Sequence, residues 1–190
     1  MAIPIKKLIA ESLFKLLNEK SLQEITIKDL LEESGVSRQT FYNHFLDKND
    51  LIQYIYREYI IPGFNENDMN IDFYESLLMT FNNMKTYASF MKQACMMEGQ
   101  NCLKDYIFQH CQEFDLKWHQ EIYGNEPMPE ALKFATIYHA TASSSMTLSW
   151  VLSDMPVSCE EIAQMIVEMR SIGMDVLFQG KQNPYKKVDK

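Results

Sequence analysis

Residues 36–51 read VSRQTFYNHFLDKNDL, and the ten before them, 26–35, read TIKDLLEESG. Ser37 is of the residue class that caps helix N-termini, and Asp47 is another, so two short helices follow one another here. Phe41 and Phe45 are four residues apart and share one helical face, whereas Gln39 and Asn43 share nearly the opposite one. Thr40 and Tyr42 flank that polar face, and Arg38 sits in the first turn. Upstream, Thr26 opens a companion helix with Asp29 at its third position, close to a capping box, and Gly35 supplies the turn. The spacing therefore predicts a helix-turn-helix whose second helix, 37–45, hides two phenylalanines and offers polar side chains outward.

Those side chains suit a DNA groove. Arg38 has the fork that pairs with guanine O6 and N7, and Gln39 or Asn43 matches adenine N6 and N7. The Thr40 methyl or hydroxyl fits thymine or phosphate, while Tyr42 and His44 reach phosphate oxygens at the groove edge. Lys48 adds charge beside the free N–H groups of the next helix, a combination that favours phosphate, and Thr26 and Ser37 stand at equivalent helix starts. The competing reading is an ordinary capped surface helix. What favours a DNA reader is the combination: helix, glycine turn, Ser-capped helix with a Thr-aromatic-Tyr step, and a short break led by Lys48.

This combination resembles the N-terminal domain of TetR/AcrR-family transcription regulators. Thr26-Ile27, Gly35-Val36-Ser37, Thr40, Tyr42, His44-Phe45, Lys48 and Leu51 carry the resemblance, which covers about the first third of the chain. It implies an all-α dimer in which Tyr42, His44 and Lys48 touch the DNA backbone while Arg38, Gln39 and Asn43 choose sequence. It also implies a double-stranded operator of pseudo-palindromic form, with ligand-induced release as the usual mode. RQTFYNHF and the tyrosine-rich fourth helix are further similar to activators of dihydroxyacetone-kinase operons, which makes activation of a small-molecule kinase operon the alternative.

The rest of the chain is patterned as helices throughout, with neither Asn-Gly or Asp-Gly hairpin turns nor sustained alternation. Ile5, Leu8, Ile9, Leu13, Leu16 and Leu17 predict a first helix over 3–19. A fourth helix runs from Asp47 to Ile61, where Pro62-Gly63 stops it. PGFNENDMN (62–70) reads as a connection, so the expected domains are 1–62 and 63–190. Further helices are expected at 72–84, 86–97, 101–123, 130–152 and 158–179. Ser158 is the expected N-cap of the last, with Glu160 and Glu161 in its first turn. Gly180 is expected to end it, leaving KQNPYKKVDK as a frayed basic tail.

Twelve of the 13 methionines lie beyond residue 62. Met is flexible and polarisable, and a Met and aromatic lining adapts to apolar ligands between bundle helices. Met84, Phe90, Met91, Trp118, Tyr138, His139, Met146 and Trp150 are the candidate ligand-binding residues, and the alternative is a packed core without a cavity. The run ATASSSMTLS (140–149) admits a close helix neighbour. Together with the apolar side of the last helix (Ile162, Met165, Ile166, Met169, Ile172, Gly173, Val176), it predicts a homodimer through the last two helices.

Bulk properties bound the alternatives. The net charge of −8 is unevenly spread, with 8 basic against 9 acidic residues in 1–62 and 10 against 17 in 63–190. DNA contact must then come from a few placed groups rather than a basic field. Cys95, Cys102, Cys111 and Cys159 show no metal-binding spacing and read as buried thiols, so neither a metal nor a cofactor is expected. No membrane span and no secretory leader is legible, which makes the cytoplasm the expected compartment. No nucleophile-elbow, HExxH, Walker or GxGxxG sequence is present, so no enzyme is expected. A helical interaction module without its own operator stands as the remaining alternative.

Overall fold

The computed structural model describes residues 4–64, 72–172, 174–178, 180–181 and 183–185. Ten α-helices and one π-helical turn make up the described chain: α1 Ile5–Leu16, α2 Ile27–Ser34, α3 Arg38–Tyr42, α4 Lys48–Ile55, the π turn Tyr56–Ile60, α5 Phe73–Thr86, α6 Ala88–Met96, α7 Leu103–Tyr123, α8 Glu130–Leu152, α9 Cys159–Ser171 and α10 Met174–Leu177. No strand occurs among the described residues. None of their helices is long and apolar enough to cross a membrane.

Local chemistry sets most helix starts. Thr26 Oγ1 accepts from Asp29 N, and the Asp29 carboxylate accepts from Thr26 N, a complete capping box. Ser158 and Glu161 repeat it at α9. Ser37, Asp47 and Asp72 cap α3, α4 and α5. Gly35 ends α2 at φ +70°, where a side chain would strain the backbone.

The helix-turn-helix packs α1 on α2, with α3 closing the third side. Beyond it, α7 lies along α8, and α5 runs against α9. Packing is continuous across residue 62: Phe14 of α1 stacks on Tyr87 at 4.9 Å and meets Phe90 edge-on at 5.8 Å. Polar bonds among the described residues add to this seam. Leu22 N donates to Gln93 Oε1 (2.7 Å), Asn49 Nδ2 to Gln100 O (3.0 Å), Gln53 Nε2 to Asn101 O (3.0 Å), and Asn83 Nδ2 to Ile60 O (3.1 Å).

Three expectations change. The fourth helix reaches Ile60 only by switching to π geometry, with Ile61 N bonded to Tyr56 O at 3.1 Å. Such one-turn widenings are frequent at functional sites. The last helix breaks at Ile172, whose ψ of 122° is extended, and α10 resumes as a short separate turn. The tail is not frayed at 183–185, because Tyr185 is buried among Phe73, Trp118 and His119. Residues 65–70 of the expected connection, Gly173, and the last five residues of the tail lie outside the described residues, as does the side chain of Val176.

Candidate DNA-reading surface and effector cavity

The expected helix 37–45 is shorter, Arg38–Tyr42, and 43–45 follow as a turn bonded back to it through Phe45 N and Phe41 O (2.9 Å); burial separates two faces across both. Phe41 and Phe45 are 0% and 2% exposed and pack on each other at 5.7 Å, with Leu30 and Leu51 in the same core. Arg38, Gln39, Tyr42 and Asn43 are exposed, and Thr40 and His44 are half-buried at the margins. Ser37 Oγ accepts from Thr40 N at 3.0 Å and lies 2.9 Å from Thr40 Oγ1, so the turn before the exposed face is held on both sides. The Tyr42 ring rests edge-on against Phe41 at 5.4 Å, which leaves its hydroxyl end outward. Thr26 is exposed, but its side chain already serves the capping box.

Lys48 is placed differently from the expectation. Its ammonium donates to the carbonyls of Leu22 (2.9 Å), Gln23 (3.3 Å) and Ile25 (2.8 Å), all in the loop between α1 and α2. Those three acceptors match the three N–H donors of a lysine. Burial lowers its pKa, with the Asp29 charge acting against that. The start of α4 is likewise occupied, since Asp47 accepts from Asp50 N and Asp50 accepts from Leu46 N. Lys48 thus ties α4 to the α1–α2 loop instead of standing free to meet a phosphate.

Beneath the π turn, a cavity of about 60 Å³ opens between the reading head and the bundle. Tyr56, Ile61 and Phe64 form the wall on the side of the head, and α5, α7, α8 and α9 contribute the others. Most of the lining is apolar, including Leu77, Phe81, Met84, Ile107 and Phe114. The polar part comprises Thr80, His110, Cys111, Ser143, Ser144, Thr147, Asp115 and Arg170.

One edge of this cavity is a buried network. Arg170 Nη1 bonds to Asp115 Oδ2 and to Tyr185 Oη (3.3 Å), and Arg170 Nε donates to Ser143 Oγ (3.0 Å). The guanidinium lies 5.0 Å from the centre of the Phe73 ring. Tyr185 Oη is 2.8 Å from His119 Nε2, and His119 Nδ1 is 2.8 Å from Thr136 Oγ1. Burial, helped by the nearby charges of Arg170 and His139, holds the His119 pKa down to about 3, so the ring is neutral. Burial also raises the Asp115 carboxyl, while Arg170 pulls it back. Neither Tyr185 nor Asp115 was among the residues singled out from the sequence, and no local pattern marks them.

Of the eight candidate ligand residues, Met84 alone lines this cavity. Phe90 and Met91 are core, and Trp118 is buried in a stack on Phe73. Tyr138 is 62% exposed, so it contributes to an outer surface rather than an internal site. His139, Met146 and Trp150 line a different feature, an outer groove of about 470 Å³ between α8 and α9 that also includes Met165 and Met169. Residues of a pocket cannot be picked by type alone, because Met and aromatic side chains fill cores as readily as they line cavities.

Comparison with known proteins is consistent across both parts of the chain. Residues 9–55 match the family model described as "Bacterial regulatory proteins, tetR family", and residues 72–171 match the TetR C-terminal model described as "Transcriptional regulator C-terminal region". The HTH-type dhaKLM operon transcriptional activator DhaS of Lactococcus lactis subsp. lactis (strain IL1403) is 22% identical over 134 residues, 62% of this chain and 68% of that protein. Among solved structures, the dihydroxyacetone kinase operon activator DhaS superposes with a TM-score of 0.70 at 19% identity, covering 93% of this chain and 99% of that one. A protein described as a TetR-family transcriptional regulator, from Syntrophomonas wolfei str. Goettingen, superposes at 0.53 with 19% identity, covering 88% and 93%.

Proposed function

Because the chain belongs to the TetR family of bacterial regulatory proteins, we propose that it binds a pseudo-palindromic operator as a homodimer and answers to a small molecule held in its C-terminal helices. Regulators of this family bind DNA operators and typically form homodimers. The observation that carries the reading is the two-faced segment 38–45, α3 with the turn after it, in which Phe41 and Phe45 are locked behind while Arg38, Gln39, Tyr42 and Asn43 stand outward. Arg38, Gln39 and Asn43 read base edges; Tyr42, His44 and Thr40 meet the phosphates, and Ser37 and Thr26, whose side chains cap their own helices, face the DNA with the helix starts they hold. Lys48 supports them indirectly, by fixing the angle of α4 against the α1–α2 loop.

The dimer is assigned to α8 and α9. Phe134, Tyr138, Met146, Met165, Met169 and Ile172 are all exposed there in the single chain. Exposed apolar side chains gathered along two neighbouring helices, with Met146, Met165 and Met169 lining one groove, mark an interaction site. The small residues of 140–149 let a second copy approach closely, and a two-fold axis then pairs two reading heads for two half-sites.

Ligand in the cavity would act through Tyr56, Ile61 and Phe64, the wall that continues directly into α4. It changes DNA affinity only to the extent that it binds two arrangements of that wall differently. Release of DNA, hence repression, is the primary reading. The activator role of the DhaS relative favours activation as the second reading. A gel-shift titration on DNA flanking the chain's own gene tests operator binding. Arg38→Ala is expected to lose roughly 1–3 kcal/mol and relax preference at one base pair, while Tyr42→Phe weakens all sequences alike. Wild-type affinity in both variants would overturn the surface assignment, and a reporter fused to the operator decides the sign.

A further inference from the structure

We infer that the cavity beneath the π turn is built for a small uncharged molecule, an alcohol or ketone of short chain, whose oxygen hydrogen-bonds to Thr80 and Ser144. The inference rests on the reading of the C-terminal helices as the effector domain and narrows it to a chemical class. Thr80 of α5 and Ser144 of α8 are 4% and 2% exposed, and both line the cavity. Their hydroxyls have no hydrogen-bond partner among the described residues. Ser144 meets the Cys111 thiol, but without the geometry of a hydrogen bond. Buried hydroxyls are ordinarily paired, and two left open on the wall of one cavity are positioned for a guest.

Charge decides which guest. The two ionisable groups at the edge, Arg170 and Asp115, are bonded to each other, and Arg170 is further engaged by Tyr185 and Ser143. A carboxylate or an ammonium entering here meets a counter-ion already taken and loses its water uncompensated. A neutral oxygen needs only what Thr80 and Ser144 offer, since each hydroxyl both donates and accepts. The remaining wall, with Leu77, Phe81, Met84 and Ile107, suits an aliphatic stem. Size sets the length: about 60 Å³ corresponds to about four water-sized groups, or roughly four to six non-hydrogen atoms.

The test is calorimetric titration and thermal unfolding of the full chain with 2-butanol and 2-butanone, against butyrate and butylammonium of similar size. The neutral pair is expected to bind in the millimolar range and to raise Tm with concentration, and the charged pair to do neither. Thr80→Val and Ser144→Ala are each expected to weaken 2-butanol binding about tenfold. Without any probe, Thr80→Val should unfold at the same temperature as wild type or higher, because it replaces an unpaired hydroxyl by a methyl of like shape. Equal binding of butyrate, unchanged 2-butanol affinity in both variants, or no response to either neutral probe overturns the assignment. Operator binding by the wild-type chain is measured in parallel. If it is intact while the probes fail, only the ligand class falls; if it is absent, the regulator reading falls with it.

Discussion

At the scale of single residues, the two-faced α3 and the His119 network show how burial converts identity into role. Phe41 is fully buried against Phe45 and Tyr42, so Phe41→Ala leaves a cavity under the reading helix and is expected to cost about 3–5 kcal/mol of stability. Urea titration measures it, and a loss under 1 kcal/mol would contradict the packing. His119 makes a prediction in pH. Its folded pKa of about 3 lies below the unfolded value near 6.5, so the unfolded chain binds the extra proton between those limits. Its contribution to stability is therefore full above pH 6.5 and declines as pH falls toward 3. Glutamine can also bridge Tyr185 and Thr136 but does not titrate. His119→Gln should flatten the fall in urea midpoint over that range, and an unchanged slope would assign the acid sensitivity elsewhere.

At the scale of elements, helix starts were legible because caps are local. Thr26 with Asp29 and Ser158 with Glu161 are three residues apart, and each pair closes its own box. Thr26→Ala is expected to lose about 1 kcal/mol, read as a lowered Tm with α2 amides exchanging faster. The element that resisted reading was the end of α4. Its sequence, YREYI, is unremarkable as helix, and the π turn is accompanied by Asn83 bonding Ile60 O and by Tyr56 entering the core. Those contacts come from 23 or more residues away along the chain, and no periodicity announces them. The placement of Lys48 was hidden for the same reason: its ammonium is bonded to three carbonyls 23–26 residues earlier, and no local pattern announces that contact.

At the scale of the molecule, the exposed apolar sides of α8 and α9 and the buried Tyr185 carry the predictions. Met165→Glu and Ile172→Glu change residues that are exposed in one chain, so folding should be preserved while sedimentation shifts from dimer to monomer. Operator affinity is expected to drop by orders of magnitude with it, since one head then addresses one half-site. A dimer that survives both substitutions would move the interface away from α9. Tyr185 anchors the chain's last described segment by bonding to His119 and Arg170. Removing residues 183–190 leaves Arg170 and Asp115 less shielded and should lower Tm by several degrees, measured by near-ultraviolet circular dichroism through Trp118.

The N-terminal reading head and the order of helices were determined by the sequence itself, because helical period, caps and a glycine at positive φ act over a handful of neighbours. That Phe41 and Phe45 share one face followed from their four-residue spacing, and their apolar rings, unlike Gln39 and Asn43 at the same spacing, turn that face inward. Tertiary structure alone decided which methionines and aromatics face a cavity, where the lysine charge goes, and how Tyr185 closes over Arg170. Each of those depends on groups distant in sequence competing for one small volume. That competition is settled by packing density and by the cost of leaving a polar atom unpaired, and neither is written in any short stretch of residues.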